Sequence, residues 1–486
     1  MTARPATDPD LWWHLRTGQW IVETGQVPHV DPFSFTRAGQ AWVSHEWLSD
    51  ALFFELWKHG GFPALIILSA IVTTGGFMLL YLRCPGKRYW AAAATALGAL
   101  AASASWGVRP QMFTFALASL LLWLVGRGEE KPRLLLWIPP LFLLWLNLHA
   151  GFALGPALLI AYSVGLIVET ALGSTPWQTT RPILTRMALL LLTCVILVPL
   201  NPSGAQLYRY PFDTLRSPAM RSVIGEWFSP DFHQWLYRPF LLVWLLLLTA
   251  LAGSRARPKA RVLVPLLLTA FAALDAVRHI PIFVLLAIPV LGTALPRDSE
   301  AAIAEVRPAF SRFRPAFNLV VIVLMAILAL VKWGSLSLNQ SAHEARQFPE
   351  RAVAFLQASN QPNRVFVYYD WGGYAIWKLH PQYRVFVDGR ADLYGDDLLR
   401  QFETAMQLRS GWKDILNRWK VQAVLLPPSS ALAQALMLDP DWHRPYADDQ
   451  AILLSSEHGS GHGSGISSQA SADSQVSKVP PIRKYQ

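Results

Sequence analysis

The sequence predicts an α-helical membrane protein of many spans that carries a small α/β domain toward its C-terminal end. Three observations lead there. Of the 486 residues 53% are hydrophobic and only 15% are charged, and the mean hydropathy is positive. The apolar residues gather in blocks of about 16–22 between residues 62 and 334, the length that crosses the hydrocarbon core of a bilayer. After residue 340 those blocks give way to short β-branched and aromatic runs separated by helical stretches, as in an α/β fold. Many of the 21 tryptophans stand at block ends, where an amphipathic indole favours the membrane interface. The net charge of +10 does not point to nucleic acid, because the basic residues among the apolar blocks lie mostly in the loops that connect them. Cys84 and Cys194 lie in or beside apolar blocks and offer neither metal-ligand spacing nor a disulfide framework.

Ten spans are read, at about 62–83, 90–106, 110–126, 133–148, 151–172, 183–200, 238–253, 261–277, 280–295 and 317–334. Lys and Arg in alternate short loops orient them. One set holds Arg83, Lys87 and Arg88; Arg127, Lys131 and Arg133; Arg181 and Arg186; Arg255, Arg257, Lys259 and Arg261; and Arg297, Arg307, Arg312 and Arg314. This set is expected to face the cytoplasm. The opposite loops are very short (107–109, 149–150, 278–279) or long and mixed in charge (201–237). An even number of spans then places residues 1–61 and 335–486 outside the cytoplasmic (inner) membrane. Residues 1–20 are polar, with Asp8, Asp10 and Arg16, and do not read as a cleavable signal. A further span upstream of Met1 is therefore expected to carry this segment across.

The expected organisation is a first extracytoplasmic loop over 1–61, a transmembrane domain over 62–334, an α/β domain over 341–455 and a disordered tail over 456–486. Arg364–Tyr369, Arg384–Asp388, Val421–Leu426 and Gln450–Leu454 read as strands, with helices over 348–358 and 397–418. The tail is rich in Ser, Gly and His and lacks apolar periodicity. His458 and His462 in it are weak metal candidates.

The first 60 residues hold the densest polar chemistry. Asp8-Pro9-Asp10-Leu11-Trp12-Trp13-His14-Leu15-Arg16-Thr17-Gly18 opens a helix expected to run to about Thr24. Asp10 near its start suits the helix dipole, and Asp10, His14 and Thr17 share one face. Asp31 and His45-Glu46 follow, and the amphipathic stretch 44–58 suits a helix lying in the interface plane. An isolated Asp8 or Asp10 reads equally as a helix cap. The crowding of carboxylates, histidines and tryptophans in one loop at the membrane surface points instead to a site that meets a lipid head group.

This segment, from Asp8 through Phe35, resembles the first extracytoplasmic loop of the GT-C glycosyltransferases, with the nearest likeness to archaeal oligosaccharyltransferase catalytic subunits. There an Asp shortly precedes an aromatic–His–x–Arg run. The resemblance implies a polytopic enzyme that takes a sugar from a polyprenyl-phosphate or -diphosphate carrier. It also implies that Asp10, with Asp8 as the alternate, is the catalytic or metal-linked carboxylate. Asp370-Trp371-Gly372-Gly373-Tyr374 resembles in part the family's acceptor-binding motif, so Asp370 and Tyr374 become candidate substrate contacts. Without the family, Gly372-Gly373 reads as a plain turn. Asp388-Gly389-Arg390 likewise reads as a turn or as a pocket pair.

The sequence departs from the family in one respect that matters. The second acidic pair that would hold a divalent cation is missing from Ser105-Trp106-Gly107-Val108-Arg109-Pro110-Gln111, which offers Arg109 instead. An arginine grips phosphate oxygens with forked hydrogen bonds, so no cofactor is expected and a polyprenyl-monophosphate sugar is the expected donor. Asn147, His149, Asn201, Glu226, Asp275, Arg278 and His279 stand at span ends or in outer loops, where ionisable groups are functional candidates. Asp275 and Arg278, three residues apart, also read as a local pair. The expected chemistry is an inverting sugar transfer. Asp10 activates the acceptor, and Arg109 with Arg278 stabilises the departing phosphate. His14, Asp31, Glu46 and Glu226 position the substrates. The expected partners are the lipid-linked sugar, membrane lipid and an acceptor of open identity, with no nucleic acid. A transporter or flippase needs ionisable groups or broken helices at mid-membrane, and the spans carry few. A non-catalytic scaffold remains the other alternative.

Overall fold

The computed structural model describes residues 3–86, 88–253, 258–294, 314–359 and 363–456. Lys87, Arg255, Arg257, Arg297, Arg307 and Arg312 of the expected cytoplasmic loops, and the tail from 457 with His458 and His462, lie outside the described residues.

Helix α1 (Leu11–Thr24) is the first helix and α2 (Trp47–Arg83) follows an irregular stretch. Five apolar helices come next: α3 (Arg88–Ala101), α4 (Gln111–Gly128), α5 (Ile138–Leu148), α6 (Leu154–Ala171) and α7 (Trp177–Leu197). Two short helices, α8 (Tyr210–Arg216) and α9 (Pro218–Val223), interrupt the series. It resumes with α10 (Arg238–Gly253), α11 (Ala260–Asp275), α12 (Ile280–Ala294) and α13 (Arg314–Leu338).

Each of the ten expected spans falls on one of these helices. Among the described residues six helical stretches are long and apolar enough to cross a membrane, namely Trp47–Arg83, Gln111–Gly128, Ala150–Ala171, Trp177–Leu200, Trp235–Gly253 and Ala316–Leu338. Pro132–Leu148 and Val277–Thr293 are shorter apolar helices. The chain is a multi-pass membrane protein.

Helix α2 is broken at Gly61, whose φ of 61° and ψ of −162° suit only glycine. Pro63 then sits at the start of the second segment, where its missing N–H costs nothing. The same point divides the chain into two compact units. The first comprises Met1–Pro5, Phe62–Asn201 and Gly225–Asn339, and the second comprises Ala6–Gly61, Pro202–Ile224 and Gln340–Gln486. Residues 202–224, which look like one loop with 225–237 in the sequence, thus belong with the second unit.

In the first unit small residues let helices approach closely, as membrane helix pairs require. A Cβ at Gly165 of α6 would overlap the Arg261 backbone of α11, and one at Gly98 of α3 would press on Val284 and Ile288 of α12. The most apolar stretch of α13 is wholly exposed and therefore faces lipid.

The second unit holds a five-stranded sheet in the order β2-β1-β3-β5-β4. Strand β1 (Arg364–Val367) runs parallel to β2 (Arg384–Val385) and β3 (Ala423–Leu426). An antiparallel pair, β4 (Trp442–Ala447) and β5 (Ile452–Ser456), completes it through β3. The four expected strands are all present. Strand β4 is the addition, an edge strand whose Pro445 and exposed side chains hide it from pattern reading. Ser456, the first residue of the expected tail, closes β5.

Around the sheet lie α14 (Gln340–Gln347), α15 (Glu350–Ala358), α16 (Gly372–Leu379), α17 (Ala391–Met406), α18 (Trp412–Arg418) and α19 (Ala431–Met437). Helix α1 packs on α16, where glycine at 373 lets the Pro9 carbonyl approach. The N-terminal segment also borders the sheet, since Phe35 donates its N–H to Val385 O (3.1 Å) and Thr36 Oγ1 donates to Phe386 O (2.6 Å).

Candidate active site

Helix α1 ends at Thr24 as its pattern predicts, with Gly25 at φ 69° as the left-handed cap. Asp10 occupies the N-cap position, yet its side chain makes no capping bond. The local turn is closed by Asp8, whose Oδ1 accepts the Asp10 N–H at 3.0 Å. Asp10 Oδ1 instead accepts from Trp13 Nε1 (3.2 Å) and lies against the Cα of Gly389, where a Cβ would overlap it. Asp8 and Asp10 are both half-buried. Tyr369, just before α16, shares this neighbourhood. Burial, then the charge of Asp10, then that of Asp388, pushes its phenol well above the ordinary range.

Gly389 belongs to the Asp388-Gly389-Arg390 turn, and that turn is anchored by a closed ion network. Arg390 Nη1 donates to Asp31 Oδ1 (2.8 Å), while Nε and Nη2 fork onto Asp388 at 2.8 and 2.7 Å. Tyr394 donates to Asp388 Oδ2, and Asp31 also caps its own turn through the Phe33 and Ser34 N–H groups. Asp388 and Tyr394 are 0% exposed, Arg390 1% and Asp31 2%. Two carboxylates and one guanidinium at that depth bind each other. The expected substrate contacts Asp31, Asp388 and Arg390 are therefore supports beneath Asp10 in this structure. Tyr374 is corrected likewise. It is 0% exposed, donates to Glu344 Oε1 (3.1 Å) and stacks on Phe348, which makes it core. Asp370, by contrast, is exposed on the turn before α16.

His14 does not share solvent with Asp10. It is 2% exposed and bonds Asp50 through Nδ1 at 2.6 Å, with Glu46 3.5 Å from Nε2. His45 Nε2 reaches the other oxygen of Glu46 at 3.1 Å. Burial alone would lower the His45 pKa, but Glu46 and then Asp392 outweigh it and raise the group above its usual value. Asp50, Asp392, Tyr369 and Tyr394 also join these networks, which the sequence does not single out. Two carried a spacing signal: Asp50 stands four residues after Glu46, and Tyr394 four after Arg390.

The first unit gathers a second group. Arg109 forms an ion pair with Glu226, and the Arg278 guanidinium lies 4.4 Å over the Trp227 ring. Burial would raise the Glu226 pKa, but Arg109 and Arg278, in that order, hold the carboxyl below its usual range. His149 Nδ1 accepts from the Gly151 N–H (2.9 Å) and lies 2.7 Å from Thr114 Oγ1, which leaves the ring proton on Nε2. Asn147 and Asn201 bond each other at 3.2 Å, and His279 Nδ1 lies 3.1 Å from Ala272 O, so these three hold backbone and helix ends together. Two guanidiniums, those of Arg109 and Arg278, thus act on the single carboxylate of Glu226. No group of three or more His, Cys, Asp or Glu among the described residues is placed to hold a metal ion.

No family model matches the chain, and no curated protein does. Solved structures do. The archaeal oligosaccharyltransferase AglB from Archaeoglobus fulgidus, in complex with an inhibitory peptide and a dolichol-phosphate, superposes with a TM-score of 0.50 at 12% identity, covering 87% of this chain. The GT-C-like fold is shown. The chain spans 66% of the length of that oligosaccharyltransferase. ArnT from Cupriavidus metallidurans bound to undecaprenyl phosphate is also similar, with a TM-score of 0.47, 14% identity, and coverage of 93% of this chain and 94% of that one. The resemblance seen in the N-terminal loop thus holds at the level of fold.

Proposed function

We propose that the protein is a membrane glycosyltransferase that moves a sugar from a polyprenyl-phosphate carrier to an acceptor outside the cytoplasm. Asp10 is the observation that carries this. A chain with this fold places a half-buried carboxylate at the start of its first helix, spared from capping, oriented by Trp13 Nε1 and backed by a glycine held in a buried ion network. A general base needs such a fixed, reachable oxygen. The oligosaccharyltransferase whose fold it shares is described with a dolichol-phosphate, a carrier of the proposed class.

In the proposed step Asp10 takes the proton from an acceptor hydroxyl or amide. The freed lone pair forms the new bond to the sugar's anomeric carbon with inversion. The bond from that carbon to the carrier oxygen breaks, and its electrons leave with the polyprenyl phosphate. Arg109 and Arg278 supply positive charge for a phosphate, and Glu226 tempers it. Asp370, exposed, is assigned to the acceptor, and His14 with Glu46 to holding α1 in place.

The test is transfer of radiolabelled sugar from undecaprenyl-phosphate donors by membranes containing the full chain. Asp10→Asn should abolish transfer while insertion and thermal stability stay as in wild type, and Asp8→Asn should retain it. Wild-type turnover by Asp10→Asn would remove Asp10 from the chemistry. Carrier binding without turnover by the wild type would favour a flippase, and neither binding nor turnover would favour a scaffold.

A further inference from the structure

A partly open cavity of about 290 Å³ lies within the first unit, away from the Arg109 group. Chain direction sets the separation. Helix α4 begins beside Arg109 and α12 beside Arg278, and α11 ends there, whereas the cavity is lined by the later half of α4, the later half of α12 and the start of α11. It reaches toward the middle of the helices at Leu158 of α6 and Leu121 of α4. From Leu121 to Glu129 is about 12 Å along a helix at 1.5 Å per residue.

Its walls are mostly aliphatic, with Leu121, Val125, Leu158, Pro265 and Val290 among them, and its polar groups are Arg83, Glu129, Tyr162, Arg261 and Thr293. Arg261 is satisfied by protein. It forks onto Glu169 at 3.0 and 2.6 Å, and its Nη1 reaches Glu129 at 2.9 Å. Tyr162 donates to the same Glu129 at 2.7 Å. Arg83 differs, because its Nη1 donates to a backbone carbonyl, Leu285 O, at 2.8 Å. Its positive charge is thus met there by a neutral group, at the helix end where the cavity's polar side lies.

We propose that this cavity binds an anionic phospholipid of the surrounding bilayer, one hydrocarbon chain within the aliphatic walls and the head-group phosphate on Arg83. Packed interiors tolerate few voids larger than a water, and an apolar void does not hold water well. An engineered apolar cavity of ~150 Å³ already takes a benzene-sized guest, so this one accommodates a short run of one lipid chain. Basic pockets between membrane helices select anionic head groups. Sequence reading puts Arg83 on the cytoplasmic side. The site does not rest on the transferase reading and stands or falls separately from it.

Glycine at 126 lies at the exposed edge of the cavity, and a Cβ there would meet nothing within 4 Å, so a larger side chain can be introduced at the cavity's rim. The full chain, in neutral detergent, is titrated with dioleoyl phosphatidylglycerol, dioleoyl phosphatidylcholine and undecaprenyl phosphate, and bound lipid is counted by native mass spectrometry. Wild type should retain phosphatidylglycerol about fivefold more tightly than phosphatidylcholine, the contribution of one arginine near a membrane surface. Arg83→Gln should erase that preference, and Gly126→Leu should lose both lipids while melting as wild type does. Equal retention of the two phospholipids by wild type, a preference surviving in Arg83→Gln, or a loss of undecaprenyl phosphate in Arg83→Gln as large as that of phosphatidylglycerol would each overturn the proposal. Should Gly126→Leu fail to fold, Arg83→Gln decides alone.

Discussion

The Asp10 carboxylate rests on the Cα of Gly389, so closely that any side chain at 389 would occupy the place of Oδ1. The two residues lie 379 positions apart in the sequence. Glycine is required at 389 for close approach, whatever its backbone angles.

Gly389→Ala should therefore push Asp10 off its position while leaving Arg390 and Asp388 paired. A misplacement of ~1 Å in a catalytic group costs on the order of a hundredfold in rate. Sugar transfer by this variant should fall by about that factor with little change in melting. Near-normal transfer would show that the position of Asp10 is not critical.

Arg390→Leu leaves the carboxylates of Asp31 and Asp388 buried without their shared cation. Removing one partner of a buried ion pair costs roughly 3–5 kcal/mol. The variant should unfold at markedly lower denaturant, and Tyr394→Phe should lose less. A wild-type unfolding midpoint for Arg390→Leu would show that the network is not structural.

At the Arg109–Glu226 pair, Glu226→Gln removes the carboxylate that offsets the two guanidiniums. Affinity for undecaprenyl phosphate should rise in that variant and fall about tenfold in Arg109→Ala, since a hydrogen bond between charged groups is worth ~1.5–3 kcal/mol. Both changes should shrink as salt is raised. Isothermal titration at low and high ionic strength reads both effects. Unchanged affinity in Arg109→Ala would place the phosphate elsewhere.

His380 sets a pH dependence. Arg16 donates to its Nδ1 at 2.9 Å, and its Nε2–H donates to Pro32 O at 3.1 Å, so the ring is neutral. Burial, helped by the charge of Arg16, holds its pKa at about 3, against an ordinary value of 6.5. Between those values the unfolded chain binds a proton that the folded one excludes. The stabilisation is thus complete above pH 6.5 and drains away as pH falls toward 3, by about 1.4 kcal/mol per unit. Denaturant titrations at successive pH values should show a shallower decline for His380→Gln, by about that slope. Identical slopes in the two proteins would mean that His380 titrates normally.

Sequence alone determined where the apolar helices fall, since such a helix is dictated by the residues within its own block, and six of the stretches are long enough to cross a membrane. It also determined four of the five strands and α1 with its glycine cap, because strand alternation and helix caps are local signals. Strand β4 escaped because an exposed edge strand containing Pro445 has no pattern of its own and exists only through β5. Only tertiary structure decided which carboxylates are buried. Asp31 meets Arg390 across 359 residues, and His14 meets Asp50 across 36, through side chains whose charge says nothing about where a partner lies. That long-range pairing turns Asp31, Asp388 and Arg390 into supports and leaves Asp10 half-buried on a glycine, with Asp8 half-buried and Asp370 exposed.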